Sequence, residues 1–346
     1  MTEYNTEILS TDTPDQTKIA LETACRALTD GEVVGIPTET VYGLGANGTD
    51  PDAIRKIFRA KGRPQDNPLI LHICDMDMLY EIADAVPLIG LELGKKFWPG
   101  PLTMIFKRKE SVPSEVSAGL DTVAVRMPLH GIARELIRMC GFPIAAPSAN
   151  LSGTPSTTTA HHVYEDLQGK IPYIIDGGEC AIGLESTVVD LSKDTPIILR
   201  PGKITKEDIE SVTETEVMMD PGITKFTEYD GSVSSPGMKY KHYSPNADVK
   251  IFCGSSDEFV NYVNSKEDVF ALCFEEDAKY LHKPYLCYGK SDDFDSQGRE
   301  LFAALRKFDQ MNAKTVIAHA PEKKGMGLSV YNRLIKSAGF EVVSGK

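Results

Sequence analysis

The chain predicts an α/β fold in two parts: a twisted mixed sheet with flanking helices, then a smaller, doubly wound domain. Three observations carry this. Strand-like apolar runs alternate with helical patterns through the first two thirds of the chain. The segment 221–245, PGITKFTEYDGSVSSPGMKYKHYSP, then breaks all periodicity with Gly, Pro, Ser and Tyr. After it, a strand–helix repeat of about 100 residues resumes. A length of 346 residues is long for one core and suits two. The expected division is residues 1–219, a linker at 220–246, and residues 247–346.

In the first part, EVVGIP (32–37), PLILHI (68–73), LTMIFKRK (102–109), TVAVRMP (122–128), FPIAAP (142–147), YIID (173–176), STVVDL (186–191) and PIILRPG (196–202) read as strands. Helical spacing fits TKIALETACRALTDG (17–31), PDAIRKIFRAKG (51–62), MLYEIADAV (78–86) and IARELIRMCG (132–141), with a short acidic helix within 203–219. In the second part DVKIFCG (248–254), VFALCF (269–274), PYLCYG (284–289), KTVIAHA (314–320) and the final FEVVSG read as strands. Helices fall near 256–265, 296–311 and 327–338. The pattern is Rossmann-like, yet no GxGxxG motif follows its first strand.

Composition removes several functional classes. The apolar share is 41% and the charged share 25%, both ordinary for globular proteins. No apolar run reaches the roughly 18 residues of a membrane helix. The polar, acidic start MTEYNTEILSTDTPDQTK has no signal-peptide pattern, so a cytoplasmic location is expected. Seven scattered cysteines without CxxC spacing indicate neither a zinc site nor a disulfide framework. Seven histidines, with His161 and His162 the only close pair, offer no metal cage, so no protein-held metal is expected. A net charge of −13 argues against a broad nucleic-acid surface but leaves room for a local patch.

Such a patch exists. Arg55, Lys56, Arg59, Lys61 and Arg63 crowd the end of the helix at 51–62 against one acid, Asp66. Asp50 can cap that helix, Pro51 suits its first turn, and Gly62 can end it left-handed. Ala53, Ile54, Ile57 and Phe58 form the buried stripe, which turns Arg55, Lys56 and Arg59 toward water. Lys61 and Arg63 flank the glycine stop, and Asn67 stands before Pro68, where the chain must extend. A lysine and an arginine converging on one loop suit either a phosphate or an interdomain salt bridge.

Three further segments bear chemistry. IPTETVYGLGAN (36–47) sets Thr38, Thr40 and Tyr42 around a glycine turn, without a phosphate-loop pattern. In DTVAVRMP (121–128), alternation puts Val123, Val125 and Met127 on one face and Thr122, Ala124 and Arg126 on the other. An arginine in so apolar a strand requires an anionic partner, either a ligand or a structural carboxylate such as Glu39 or Glu185. APSANLSGTPS (146–156) follows a strand end, where α/β sheets bind ligands, and offers hydroxyls, an amide and free N–H groups; a plain surface turn is its alternative.

Taken in order, PTETVYGLGAN (37–47), KGR (61–63) with NPL and His72, WPGPLT (98–103), VAVRMP (123–128), APSAN with LSG (146–153), GLESTVVD (183–190), LRPG (199–202) and SPGMKYKHYSP (235–245) resemble the YrdC-like family. The resemblance is to its two-domain threonylcarbamoyl-AMP synthase form. It runs from about residue 8 through the linker, and the C-terminal repeat fits the second domain. It implies a YrdC-like catalytic sheet domain and a Rossmann-like C-terminal domain. The implied reaction joins L-threonine, bicarbonate or CO2, and ATP into threonylcarbamoyl-AMP and pyrophosphate, for threonylcarbamoyladenosine modification of tRNA by a separate transferase complex. ATP-contacting positions fall on Lys61, Arg63, Asn67, Thr122, Ser148, Asn150, Ser156 and Arg200, with His242 and Tyr243 joining from the linker. Threonine-contacting positions fall on Thr38, His72, Arg126 and Ser186, with Tyr42 nearby.

No covalent intermediate is needed, so the catalytic expectation rests on Lys61, Arg63 and a magnesium ion that accompanies ATP. The linker's HYSP is expected to close over the nucleotide as a lid, or else to act as a plain tether. The competing expectation is a non-catalytic RNA-binding, translation-associated module using the basic run at 55–63, with weak RNA contact. A carbamoyltransferase of related fold is disfavoured by the missing CxxC pairs and acylphosphatase-like region.

Overall fold

A computed structural model describes residues 4–227 and 242–344. The first sheet takes its strands in chain order as β1 Glu7–Ser10, β2 Val34–Ile36, β3 Gly43–Asn47, β4 Ile70–His72, β5 Leu102–Lys107, β6 Thr122–Arg126, β7 Ile144–Ala145, β8 Tyr173–Asp176, β9 Thr187–Asp190, β10 Ile197–Arg200 and β11 Met218–Met219. Its helices are α1 Pro14–Thr29, α2 Pro51–Lys61, α3 Met76–Ile82, α4 Leu88–Phe97, α5 Ser114–Ser117, α6 Gly131–Cys140, α7 Ala160–Leu167 and α8 Lys206–Thr213. The second sheet holds β12 Asp248–Phe252, β13 Phe270–Cys273, β14 Tyr285–Cys287, β15 Thr315–His319 and β16 Val342–Val343. Around it lie α9 Ser256–Asn264, α10 Glu275–Ala278, α11 Phe294–Gln310 and α12 Met326–Ser337.

The first sheet runs β1-β8-β2-β3-β7-β4-β6-β5-β9-β10-β11 with parallel and antiparallel neighbours mixed. The second runs β14-β13-β15-β12-β16 and is parallel throughout. Both agree with the predicted α/β class. Residues 43–47, read above as a glycine turn, form instead the return strand of a hairpin with β2, Gly43 facing Ile36 and Gly45 facing Val34. Among the described residues no helix is long and apolar enough to cross a membrane.

Local chemistry builds α2 as expected. Asp50 accepts from the Asp52 N–H at 2.9 Å, Pro51 opens the helix, and Gly62 closes it at φ 61° and ψ 36°. Its stripe of Ala53, Ile54, Ile57 and Phe58 is buried in the main core with Val123, Val125 and Met127 from and beyond β6. The other face of β6 meets a small apolar cluster of Ile70, Ile105, Ala124, Val188 and Leu199. That cluster reaches the site described next through Ile70, which lines that site. Across it the ladder registers His72 with Arg126 and Arg126 with Thr103, a polar row at one end of the sheet.

The two sheet units meet closely. Gly183, at φ 76°, approaches the start of α11 so nearly that a Cβ there would lie 2.5 Å from the Arg299 Cα and 2.6 Å from the Gly298 carbonyl oxygen.

Candidate functional site

A cleft opens at the strand ends of the first sheet. Of the predicted residues, Lys61, Arg63, Ser148, Asn150, Arg200, His242, Tyr243, Thr38, His72, Arg126 and Ser186 line it. Four of its lining side chains are cationic against one carboxylate, Glu185. In a chain of net charge −13 this is a local positive cavity, suited to anions.

One wall is built on the end of α2. Lys61 is buried, and its ammonium donates to the Ser148 carbonyl at 2.6 Å and to the Asn150 carbonyl. Burial, and then the charge of Arg63, push its pKa well below the usual lysine value. The Asn150 amide ties the loop to itself through Leu151 O and Thr154 O at 2.7 and 2.8 Å, while Ser148 Oγ donates to Asn150 Oδ1 at 2.5 Å. Arg63 reaches back to Pro68 O at 3.4 Å; its Nε is buried without a hydrogen-bond partner among the described residues. Burial lowers its pKa to about 10. Lys61 and Arg63 donate to neutral carbonyls, and the charges of Asp166 and Glu185 near Lys61 and of Asp66 near Arg63 offset part of their own.

The facing wall is held by arginines. Arg200, ending β10, donates from Nε to Ser186 O at 3.1 Å and from Nη2 to Ser186 Oγ at 3.2 Å; that hydroxyl pairs with Thr103 Oγ1 at 2.7 Å. Arg126 donates to Thr40 Oγ1 at 2.7 Å and meets Glu39 Oε1 at 2.6 Å. Of the alternatives the sequence left open for Arg126, the structural carboxylate is Glu39. Thr38 Oγ1 donates to Val41 O at 2.6 Å and so shapes the turn beside it. His72 Nδ1 lies 3.2 Å from Ile70 O; a carbonyl only accepts, which places the proton on Nδ1. Burial, then Arg126, lower its pKa to about 3, so the ring is neutral.

The linker's end completes the cleft. His242 is pushed down to about 3 by burial and then by Arg63. Tyr243 adopts φ 63°, an uncommon conformation for a bulky residue, and stacks 5.2 Å from Phe302 of the second unit. Ser244 N donates to Gly153 O at 2.9 Å, joining the linker's end to the loop behind Lys61. Residues 228–241 of the linker lie outside the described residues, whereas the HYSP expected to form the lid (242–245) lies within them.

Four predicted positions do not line the cleft. Tyr42 is buried in the main core and donates to Gly178 O at 2.7 Å, so its hydroxyl serves the fold. Thr122 starts β6 while Arg126 ends it; four residue steps along the strand separate them by about 13 Å. Ser156 Oγ is spent on Glu185 Oε1 at 2.5 Å, one layer behind the wall. Asn67 is buried with Oδ1 unpartnered among the described residues, next to the cleft but not on its surface. Sequence reasoning set Thr40 in the 36–47 segment without giving it a site role and named Glu185 only as a structural partner. It missed Arg306 and Arg333 altogether, since no local motif marks residues that arrive from another unit.

The basic run also divides. Arg55 pairs with Asp52 at 3.2 Å and Glu115 at 3.3 Å, Lys56 pairs with Glu32 at 2.8 Å, and Arg59 is exposed. Lys61 and Arg63 turn inward to the cleft. The run is therefore no continuous basic footprint for a nucleic acid. Among the described residues, no three His, Cys, Asp or Glu side chains gather as a metal site.

Residues 26–202 match the family model described as "Telomere recombination", and residues 204–339 match the one described as "Threonylcarbamoyl-AMP synthase, C-terminal domain". The chain is 44% identical over 321 residues to a threonylcarbamoyl-AMP synthase of Pyrococcus abyssi, covering 91% of this chain and 92% of that protein. It is 44% identical over 344 residues to the Bacillus subtilis protein of the same name, covering 98% and 97%. The crystal structure of Pyrococcus abyssi Sua5 complexed with L-threonine matches with a TM-score of 0.88 at 40% identity, over 98% of this chain and 99% of that one.

Proposed function

The chain belongs to the threonylcarbamoyl-AMP synthase family, and from that premise we propose how its cleft works. The chain is a transferase-type enzyme that makes threonylcarbamoyl-AMP from L-threonine and ATP. The observation that carries the reading is the cleft's division into two anion grips. Lys61 and Arg63 form one and Arg126 with Ser186 the other, while Arg200, an expected ATP contact, is bonded to Ser186 and lies within charge range of Arg63.

In our reading the triphosphate takes the Lys61–Arg63 side. A cationic side chain held by carbonyls is already desolvated and fixed, so charge developing on the departing pyrophosphate meets oriented donors. Magnesium brought with ATP would be held by the nucleotide and would offset charge on its phosphates. The carboxylates nearby, Glu39 and Glu185, are already taken by Arg126 and Arg333. L-Threonine takes the other side, its carboxylate toward Arg126 and its polar groups toward Thr38 and Ser186. Bicarbonate takes up a proton and loses water to give CO2; the neutral threonine amine attacks the CO2 carbon, a C–O π pair moves onto oxygen, and the amine gives up one N–H proton to solvent, leaving a carbamate. A carbamate oxygen then attacks the α-phosphorus, and the bond from that phosphorus to the pyrophosphate oxygen breaks. His72, neutral down to about pH 3, orients by hydrogen bonding and does not store a proton. The adenylate passes to a separate transferase complex that modifies tRNA. We assign the reaction to the cytoplasm, where ATP and tRNA meet.

The test is pyrophosphate release by the full chain, with threonine and bicarbonate omitted in turn. Release should need both, and Lys61→Ala should abolish it. Release that ignores threonine, or survives Lys61→Ala, sinks the reading.

A further inference from the structure

The second unit supplies no side chain to the chemistry proposed above, yet it drives two arginines into the walls of the cleft. Arg333, midway along α12, is fully buried. Its Nε donates to Glu185 Oε2 at 3.0 Å, its Nη2 to Glu185 O at 3.1 Å, and its Nη1 to Pro201 O at 2.6 Å. Glu185 precedes Ser186 and Pro201 follows Arg200. One guanidinium therefore grips both chain segments of the arginine–serine wall. It also neutralises Glu185, the only carboxylate among the described residues that line the cleft. Burial alone would raise the Glu185 pKa, but Arg333 and Arg200 outweigh it and keep the group ionised.

Arg306, in α11, serves the other wall. It donates to Pro155 O at 2.6 Å and Ser156 O at 3.3 Å, and forks onto Asp166 at 2.9 and 3.0 Å. The same carboxylate accepts from Leu151 N at 2.8 Å and Thr154 Oγ1 at 3.3 Å. The loop that presents Asn150 to Lys61 is thus pinned from the second unit.

We propose that Arg333 and Arg306 are positioning residues for the synthase reaction, Arg333 for the threonine wall and Arg306 for the nucleotide wall. The second unit thereby completes the catalytic cleft. The proposal rests on the synthase reading and gives the C-terminal unit its part in it. Without Arg333, the Glu185 carboxylate keeps only the Ser156 hydroxyl and the nearby charge of Arg200, and its excess charge next to Ser186 repels a substrate carboxylate. Without Arg306, the Asn150 loop loses its anchor and the triphosphate its fixed cradle.

The experiment measures kcat and KM for each substrate by pyrophosphate release from the full-length wild type, Arg333→Met, Arg306→Met and the double variant Arg333→Met/Glu185→Gln. Arg333→Met should raise KM for threonine about tenfold, equivalent to about 1.4 kcal/mol, with KM for ATP changed by less than about twofold. Adding Glu185→Gln should recover most of that loss, since it removes the excess charge. Arg306→Met should raise KM for ATP and spare threonine. Unchanged KM values in folded variants overturn the proposal, as does a threonine defect that Glu185→Gln leaves untouched. Should Arg333→Met not fold, Arg333→Lys takes its place. It keeps the charge but cannot fork onto three acceptors, so it should show the same threonine-specific shift; its absence overturns the proposal. A wild type that releases no threonine-dependent pyrophosphate overturns the synthase reading itself.

Discussion

His72 and His242 sit in a cavity that forbids their charged forms. Both are pushed to about 3, first by burial and then by Arg126 for His72 and Arg63 for His242. In the unfolded chain each imidazole titrates near 6.5. Between about pH 6.5 and 3 the unfolded chain therefore binds protons that the native chain refuses, and stability falls as the pH is lowered through that window. The thermal midpoint should drop between pH 6.5 and 4.5. His72→Gln should make that drop shallower by about one proton's worth of slope; an unchanged slope would show that the native ring protonates freely. At this scale the sequence was most legible where a residue's chemistry conflicts with its surroundings. Lys61 and Arg63 stood out as charge entering an apolar strand, and both line the cleft. Tyr42 and Ser156 carried no such conflict; hydroxyls satisfy themselves on any nearby acceptor, here Gly178 O and Glu185.

At the scale of elements, β6 shows how a strand can be half core and half site. Val123 and Val125 pack with Ile54 and Phe58 of α2, while Ala124 joins the small apolar cluster and Arg126 closes the strand's end. Period-two alternation made these faces readable before any coordinates. The sequence narrowed the partner of Arg126 to a ligand or to Glu39 or Glu185 but could not choose among them, because Glu39 arrives on the turn between β2 and β3 and sequence distance says nothing about that meeting. The same limit hid β3, whose glycines read as a turn. They are small because Ile144 and Ala146 crowd the neighbouring strand, not because the backbone turns there. The Arg126–Glu39 pair is almost wholly inaccessible, at 4% and 6% side-chain exposure. Removing one partner from such a pair leaves a buried charge, at a cost of about 3–5 kcal/mol. Arg126→Met should destabilise by about that much in urea denaturation, and Arg126→Met/Glu39→Gln should recover most of it. The double variant should still fail to bind L-threonine by calorimetry. Recovered stability together with normal threonine binding would remove Arg126 from the substrate site.

For the whole molecule, what matters is whether the two sheet units act as one body, and Gly183 tests it. The two-unit architecture was visible in the broken periodicity of 221–245, but the interface was not, since it joins segments more than a hundred residues apart. Gly183 sits at φ 76° with its missing Cβ aimed at the backbone of Arg299 and Gly298. Backbone atoms at 2.5 and 2.6 Å cannot step aside as a side-chain tip can, so alanine must push α11 away from the catalytic sheet. α11 carries Arg306, and its displacement loosens the Asp166 fork and the loop behind Lys61. Left-handed backbone alone costs a non-glycine residue about 1 kcal/mol, and overpacking adds about 1–3 kcal/mol. Gly119, at φ 80° with nothing within 4 Å of its Cβ position, carries the first cost without the second. Gly183→Ala should therefore lower stability by about 1–3 kcal/mol more than Gly119→Ala, measured side by side by urea denaturation. It should also raise KM for ATP, which Gly119→Ala should not. Equal losses from the two variants would mean that the units yield to each other without strain, and that the cleft does not depend on how they meet.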